Sequence, residues 1–157
     1  MGGLSQFIVG ILTILTLSSG PSAPAVDPMA LASLSNFLVG RNSPLPAEEL
    51  LKYDNWEMIV ALSCAESGYG TKLGGEYNAW GIKDYQLGSS KFGRTRDFGS
   101  WAESIEFTSE LLYKYDPEDG EPAPRGMVRS WKSVRPYEHW IGNVEYALRD
   151  IRANVLV

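Results

Sequence analysis

The sequence predicts an α+β fold that is mainly α, with a helical lobe and a small β-hairpin lobe that leave a cleft between them. Apolar residues recur at helical spacing in three stretches after residue 54. Between the first two, the stretch 74–99 is rich in glycine and aromatic residues and lacks a helical period, which favours short strands and turns. With 157 residues, 44% hydrophobic and 21% charged, the chain has the composition of one globular domain with a conventional core.

Residues 1–25 are predicted to be a signal peptide. Their apolar run, 7–17, is shorter than the roughly 20 residues that a membrane-spanning helix needs. Ala23 and Ala25 then supply the small-x-small pattern of an export cleavage site. Because no lysine or arginine precedes the run, an uncleaved hydrophobic segment is the alternative, and it would be the protein's contact with a membrane.

Residues 26–46 are predicted to form a short helix and a linker. Asp27 can cap free backbone N–H groups, and Pro28 suits the first helical turn. The apolar positions that continue this helix are Leu31, Leu34 and Leu38. Two prolines in RNSPLP then break the chain, so the main domain is expected to occupy residues 47–157.

The first long helix of the main domain is predicted over 54–67. Asp54 and Glu57 have the spacing of a capping box, in which two side chains reciprocally bond backbone N–H groups. Two glycines follow directly, at positions 68 and 70, and are expected to end the helix.

A hairpin and two further helices complete the predicted fold. The residues LGSS, 87–90, are expected to connect two antiparallel strands. Ser100 and Glu103 form a second capping box and start a helix. Its apolar stripe consists of Trp101, Ile105, Thr108, Leu112 and Tyr115. An acidic, proline-rich loop follows over 116–124. The last helix has an apolar stripe made of Ile141, Val144, Leu148, Ile151 and Val155.

Charge and composition exclude several kinds of chemistry. The net charge is −5 and the basic residues are interpreted as scattered, which argues against a nucleic-acid-binding surface. Cys64 and His139 are each the only residue of their type, so multi-cysteine zinc sites, histidine-rich metal sites and internal disulfides are excluded. Cys64 is expected to be a small buried apolar residue. No metal or cofactor is expected, and the chemistry must rest on carboxylates, hydroxyls and aromatic side chains.

Glu66 is the first candidate for that chemistry, because it lies in the last turn of an otherwise apolar helix. In one interpretation its carboxylate only pairs with an arginine or bonds a backbone N–H at the helix end. In the other, partial burial keeps the carboxyl group protonated, so that it can donate a proton to a leaving oxygen. Its position in the sequence leaves both interpretations open.

Three motifs follow one another around and after this residue, namely AESGYG, NAWGIK and FGSWAESIEFTSELLYKY. In this order they resemble the lysozyme-like peptidoglycan hydrolases, in particular the bacterial endo-β-N-acetylglucosaminidase family. The resemblance spans 54–151, and WIGNVEYAL matches the family's late helix more loosely. It implies a lysozyme-like fold in which Glu66 is the general acid, with Ser67 and Gly68 beside it and residues 78–83 as a segment of the glycan cleft.

Glycosidases often need a second carboxylate. Glu76, Asp84 and Asp97 lie in the hairpin region, where the resemblance places such a group. We select Asp84, directly after NAWGIK, as the second catalytic candidate, whereas Asp97 is expected to pair with Arg94 or Arg96. The alternative is assistance by the substrate's own N-acetyl group, which needs no protein nucleophile.

Substrate contacts are expected from aromatic residues near Glu66, because sugar rings pack their C–H faces on flat side chains. Tyr69, Trp80 and Tyr85 are the candidates, and Trp80 suits the core beneath the cleft equally well. Asn78 either holds a sugar N-acetyl group or caps a turn.

The resemblance implies a monomeric, exported hydrolase that cuts β-1,4-glycosidic bonds in peptidoglycan. One alternative is a lytic transglycosylase, which uses the same acid but returns a ring-closed product. The other is a non-catalytic glycan-binding or virion structural protein with the same fold. The expected location is outside the cell or at the cell wall, or in a virion.

Overall fold

The computed structural model describes residues 26–84, 94–115, 123–132 and 135–156. Over these ranges the chain is mainly helical, with six helices and one two-stranded antiparallel sheet, which confirms the predicted α+β class. The helices are α1 (Pro28–Val39), α2 (Ala47–Leu50), α3 (Trp56–Ser67), α4 (Trp101–Tyr115), α5 (Pro124–Trp131) and α6 (Glu138–Asn154). The strands are β1 (Lys83–Asp84) and β2 (Arg94–Thr95). The predicted signal peptide, the hairpin loop with Tyr85, and residues 116–122 of the acidic loop lie outside the described residues.

Helix α3 lies at the centre of the fold. Its side chains from Met58 to Ser63 are all buried, so it has no single apolar stripe and needs neighbours on every side. Helix α6 packs extensively against it, and α2 and α4 contact it as well. No helix in the described ranges is both long enough and apolar enough to cross a membrane.

The predicted stripes of α4 and α6 are confirmed. In α4, Ile105 and Leu112 are fully buried. In α6, the same holds for Val144 and Ile151. Burial at three- and four-residue spacing places these side chains on the face of each helix that meets the core.

Two of the three predicted helix starts are confirmed. The backbone N–H of Met29 donates to Asp27 Oδ1 at 2.9 Å, and the N–H of Glu103 donates to Ser100 Oγ at 3.1 Å. The carboxylate of Glu103 reaches one residue further back than predicted and accepts from the N–H of Gly99 at 2.8 Å. Local polar groups at these two helix ends therefore satisfy backbone donors as the sequence indicates.

The capping box predicted at Asp54 and Glu57 is wrong, because both carboxylates bind other partners. Helix α3 begins after Asn55, whose side chain makes no capping bond. Asp54 accepts a hydrogen bond from the Tyr113 hydroxyl, which raises the pKa of Tyr113 to about 12. Glu57 accepts from Arg152 Nε of α6 at 2.6 Å. Side chains from distant segments, a tyrosine hydroxyl and an arginine, therefore replace the local cap.

Helix α1 belongs to the same core as the rest of the chain, which corrects the predicted domain boundary at residue 47. Leu34, Phe37 and Leu38 are buried in one apolar cluster with residues of α3 and α6. At the end of α1, Arg41 forms an ion pair with Asp150 of α6. The proline-containing stretch after α1 is thus a turn within the domain.

Helix α5 is one of two helices that the sequence analysis missed, the other being the four-residue α2. It begins at Pro124, where the acidic loop was predicted to end. Met127 and Val128 are buried, and Trp131 packs partly against the core. These positions share one helical face with Pro124, so the periodicity was present in the sequence but was short and followed a run of loop-forming residues.

Two glycines give a matched test of this architecture. At Gly75 a Cβ would lie 2.5 Å from the backbone oxygen of Arg96, so Gly75→Ala should destabilise the protein by about 1–3 kcal/mol. At Gly142, on the exposed side of α6, a Cβ would meet nothing within 4 Å. Gly142→Ala should therefore stabilise the protein by about 0.5–1 kcal/mol, because alanine favours the helix. Urea unfolding measures the change in the free energy of unfolding for both variants. A change of the same sign in the two variants would contradict the close packing around Gly75.

Candidate functional site

The carboxylate of Glu66 is surrounded by three hydrogen-bond donors. Its Oε1 accepts from Trp140 Nε1 at 2.7 Å and from Trp131 Nε1 at 3.0 Å. Lys132 Nζ lies 3.4 Å from each carboxylate oxygen. The side chain of Glu66 is 14% exposed, so the group is largely buried but still reached by solvent.

These donors distinguish the two oxygens of Glu66. An indole N–H and an ammonium group can donate but cannot accept, so each of them needs an acceptor here. Two indoles occupy the two lone-pair positions of Oε1. Oε2 has only the Lys132 ammonium as a donor, so it is the oxygen with the greater capacity to carry a proton.

The second oxygen faces the NAWGIK segment. A Cβ at Gly81 would lie 3.9 Å from Glu66 Oε2, and Gly81 has φ +65°, a backbone conformation that favours glycine. The segment is also tied to the end of α3, because Ser67 Oγ donates to the Ala79 oxygen at 2.6 Å. The resemblance-based prediction that this segment lies beside Glu66 therefore agrees with the geometry at Gly81.

Three elements supply the groups that hold Glu66. Helix α3 ends at Gly68, whose φ of +60° gives the left-handed cap that glycine favours. Trp131 and Lys132 come from the end of α5, and the ring of Trp131 packs edge-on against Tyr115 at 6.2 Å. Trp140 comes from the first turn of α6 and is buried.

Asn78 and Trp80 take the structural alternatives that the sequence left open, a turn cap and a core residue, in place of the predicted substrate contact. Asn78 has no exposed surface, and its amide nitrogen donates to the Arg96 oxygen at 2.8 Å and to the Ile82 oxygen at 2.9 Å. Trp80 is 2% exposed, and its indole donates to the Ile59 oxygen of α3 at 2.8 Å. Neither side chain presents a face to a ligand, because each is used to hold the NAWGIK segment in place.

Tyr69 packs against the end of α1. Its ring meets Phe37 edge-on with centroids 5.9 Å apart, and the Arg41 guanidinium lies 5.4 Å from its centroid. Burial raises the pKa of Tyr69 above its usual range, and it also raises the pKa of the neighbouring Cys64 thiol. Tyr69 therefore contacts the end of α1 while remaining partly exposed, and its contact with a sugar stays a prediction.

The aromatic residue that does offer surface is Tyr77, which is 39% exposed. Its ring packs edge-on against Trp101 at 5.5 Å, and Trp101 packs edge-on against Trp80 at 6.4 Å. These three rings form a row that runs from the core at Trp80 to the surface at Tyr77. An exposed ring that packs on Trp101, which in turn packs on the core, is a flat surface of the kind that sugars pack on.

The three acidic candidates of the hairpin lobe differ in their surroundings. Asp97 pairs with Arg94 at 3.6 Å, as predicted, and accepts from the N–H of Glu76 at 2.9 Å. It therefore holds the lobe together. Asp84 lies on β1, is partly buried, and is the register partner of Arg94 on β2. Glu76 is exposed.

Trp131, Lys132 and Trp140 are the site residues that the sequence analysis did not select. Trp131 ends the missed helix α5 and Lys132 directly follows it, whereas Trp140 entered only as the first residue of WIGNVEYAL, the looser match to the family's late helix. The combination of two tryptophans and a lysine near a buried acid is visible only after folding, because 65 or more positions separate them from Glu66. In the described part of the chain, no three histidine, cysteine, aspartate or glutamate side chains are grouped to hold a metal ion.

Comparison of the chain with protein-family models, with curated proteins and with solved structures gives no match.

Proposed function

We propose that the protein hydrolyses β-1,4-glycosidic bonds in peptidoglycan, with Glu66 as the general acid. The observation that carries the proposal is the pairing of Glu66 Oε1 with two indole N–H groups, while Oε2 faces the glycine of the NAWGIK segment. This arrangement fixes the orientation of the carboxyl group, and Oε2, which only the Lys132 ammonium approaches among the three donors, is the oxygen proposed to transfer the proton. A glycosidic oxygen bound beside Gly81 would receive that proton as the bond breaks.

The proposal includes a lysozyme-like fold with a glycan cleft between the helical lobe and the hairpin lobe. Its support is the position of Glu66 at the end of α3, with the segment leading into β1 alongside it. Tyr77, held by Trp101, is the proposed sugar platform in place of the buried Trp80. The exported location and the absence of a cofactor belong to the same proposal.

A non-catalytic glycan-binding protein is the second candidate, and the contact between Lys132 and Glu66 favours it. An ammonium group within 3.4 Å of both carboxylate oxygens is also what a structural ion pair requires. In that case the three donors only hold α5 and α6 against the end of α3. A lytic transglycosylase would share the acid and differ in its product.

Mass analysis of purified peptidoglycan after incubation with the protein tests these candidates directly. We expect soluble fragments with new reducing ends, which reveal whether the bond on the GlcNAc or the MurNAc side is cut. Anhydro ends would identify a lytic transglycosylase. Binding to the polymer without any soluble fragment would overturn the hydrolase proposal and leave the non-catalytic candidate.

Asp84 is the proposed second catalytic residue, because Asp97 is engaged in holding the hairpin lobe. If Asp84 activates the attacking water, Asp84→Asn should lower the hydrolysis rate by about a hundredfold or more, and the anomeric centre should be inverted. Glu76→Gln, which removes an exposed carboxylate from the same lobe, is the matched control and should remain active. NMR of the first-formed anomer reads the stereochemistry. Retention with a fully active Asp84→Asn variant would assign the role to the substrate's N-acetyl group.

A further inference from the structure

Positive charge is concentrated next to the Glu66 site. The stretch 123–136 contains Arg125, Arg129, Lys132 and Arg135 and no acidic residue, although the whole chain has a net charge of −5. This contradicts the interpretation of the basic residues as scattered. A local concentration of cations on an acidic protein indicates a surface that attracts anions.

A cavity of about 320 Å³ lies at the junction of α5 and α6, within this basic stretch. Its lining residues are Arg129, Arg135, Pro136, Tyr137 and Glu138. Cavities of this size accommodate small ligands or parts of larger ones. The lining contains two guanidinium groups, of Arg129 and Arg135, and one carboxylate, of Glu138, so its net charge is positive.

Within the described ranges, the two guanidinium groups of the lining are not used in ion pairs. Arg125, on the same helix as Arg129, pairs with Glu145 at 3.2 Å. Neither Arg129 nor Arg135 forms an ion pair with another residue of the described ranges. The guanidinium of Arg135 lies 5.6 Å from the centroid of the Tyr137 ring, which supports it at the cavity wall.

The N-terminus of α6 adds to the positive potential of the cavity. Tyr137 is the N-cap residue of this helix, and no side chain caps the free N–H groups of its first turn. The helix is 17 residues long, so its aligned peptide dipoles place a partial positive charge at this end. Glu138 lies in that first turn and offsets part of this charge, while the two arginines remain.

Both walls of the cavity adjoin the donors to Glu66. Arg129 precedes Lys132 by three residues, and the Lys132 N–H still bonds the Val128 oxygen at 2.7 Å, so the two lie about one helical turn apart. Tyr137 precedes Trp140 by the same spacing at the start of α6. The cavity lining and the donors to Glu66 therefore come from the same two helix ends, which places a candidate anion site next to the elements that hold the carboxyl group.

We infer that this cavity binds a carboxylate on the peptide-bearing lactyl substituent of peptidoglycan, through Arg129 and Arg135. The inference rests on the proposed function and names the part of the polymer that the site recognises. Guanidinium groups bind carboxylates through paired, charge-assisted hydrogen bonds, and a neutral polysaccharide such as chitin offers no such group. The pair then makes the site select peptidoglycan over an uncharged β-1,4-linked glycan.

Binding of two small probes to the full chain tests the inference. N-acetylmuramyl dipeptide carries the lactyl peptide with a free carboxylate, whereas chitotriose has the sugar rings alone. The double variant Arg129→Gln/Arg135→Gln should bind the dipeptide at least about tenfold more weakly by NMR titration, because two charge-assisted contacts are lost. Its affinity for chitotriose should stay within about twofold of wild type. Arg149→Gln, which removes one exposed charge further along α6, is the matched control and should leave both affinities unchanged.

The outcomes separate this inference from the proposed hydrolase activity. Unchanged dipeptide binding in the double variant, or equal losses for both probes, would overturn the carboxylate site even when the wild-type protein degrades peptidoglycan. Dipeptide binding that depends on the two arginines would support the site even when no glycan is cut. Tighter binding of inorganic phosphate than of the dipeptide would overturn the assignment to a carboxylate.

Discussion

The Glu66→Gln variant should hydrolyse peptidoglycan at least about a hundredfold more slowly than the wild-type protein, because an amide has no acidic proton to give to the leaving oxygen. The fold should persist. The amide oxygen of glutamine can accept from the same two indoles, at the position that Oε1 now occupies. The rate is measured as release of reducing ends, and folding is measured by circular dichroism and thermal unfolding.

The control for this variant is Glu110→Gln, an equal change at an exposed position on α4. It should keep the wild-type rate. Near-normal turnover by Glu66→Gln, with wild-type stability, would end the assignment of Glu66 as the general acid. If Glu66→Gln binds peptidoglycan as tightly as the wild-type protein but releases no reducing ends, the result would agree with loss of the proton donor alone.

A truncated protein that begins at Pro46 should fail to fold, because it lacks α1. Leu34, Phe37 and Leu38 are between 0% and 5% exposed. Each buried side chain of this size contributes about 1.5–3 kcal/mol, and a whole domain is stable by only about 5–15 kcal/mol. The truncation also removes the Arg41 partner of Asp150. Circular dichroism and urea unfolding of the truncated protein provide the measurement.

A point substitution tests the same packing with less disruption. Leu38→Ala should lower the free energy of unfolding by about 2–5 kcal/mol, since it leaves a cavity at a position that is 2% exposed. Leu31→Ala, at a partly buried position of the same helix, should cost less. A Pro46-start protein with the unfolding midpoint of the full chain would restore the predicted boundary at residue 47.

The sequence was sufficient to predict most of the helices. The stripes through Ile105 and Leu112 in α4, and through Val144 and Ile151 in α6, are repeated often enough to show their period. The starts at Asp27 and Ser100 depend on neighbouring residues alone, so they could be predicted. Helix α5 was not predicted, because its apolar stripe covers barely two helical turns.

The roles of individual side chains near the site could not be predicted in this way. Asn78 and Trp80 have the types expected for sugar binding, but their polar atoms bond backbone groups of Arg96, Ile82 and Ile59. Asp54 likewise accepts a hydrogen bond from the hydroxyl of Tyr113 on α4 and does not cap the helix that follows it. The bonds of Asn78 to Arg96, of Trp80 to Ile59 and of Asp54 to Tyr113 join distant segments, and sequence spacing describes local bonds alone.

The sequence by itself determined that the chain is mainly helical with a small hairpin, and that Glu66 ends an apolar helix. It determined these features because hydrophobic periodicity, caps and glycine signals act over a few residues. Only the tertiary structure decided that Trp131, Lys132 and Trp140 surround that carboxylate and that α1 completes the core. Those contacts join segments far apart in the chain, and they form because buried polar groups need partners and apolar faces need cover, wherever the folded chain supplies them.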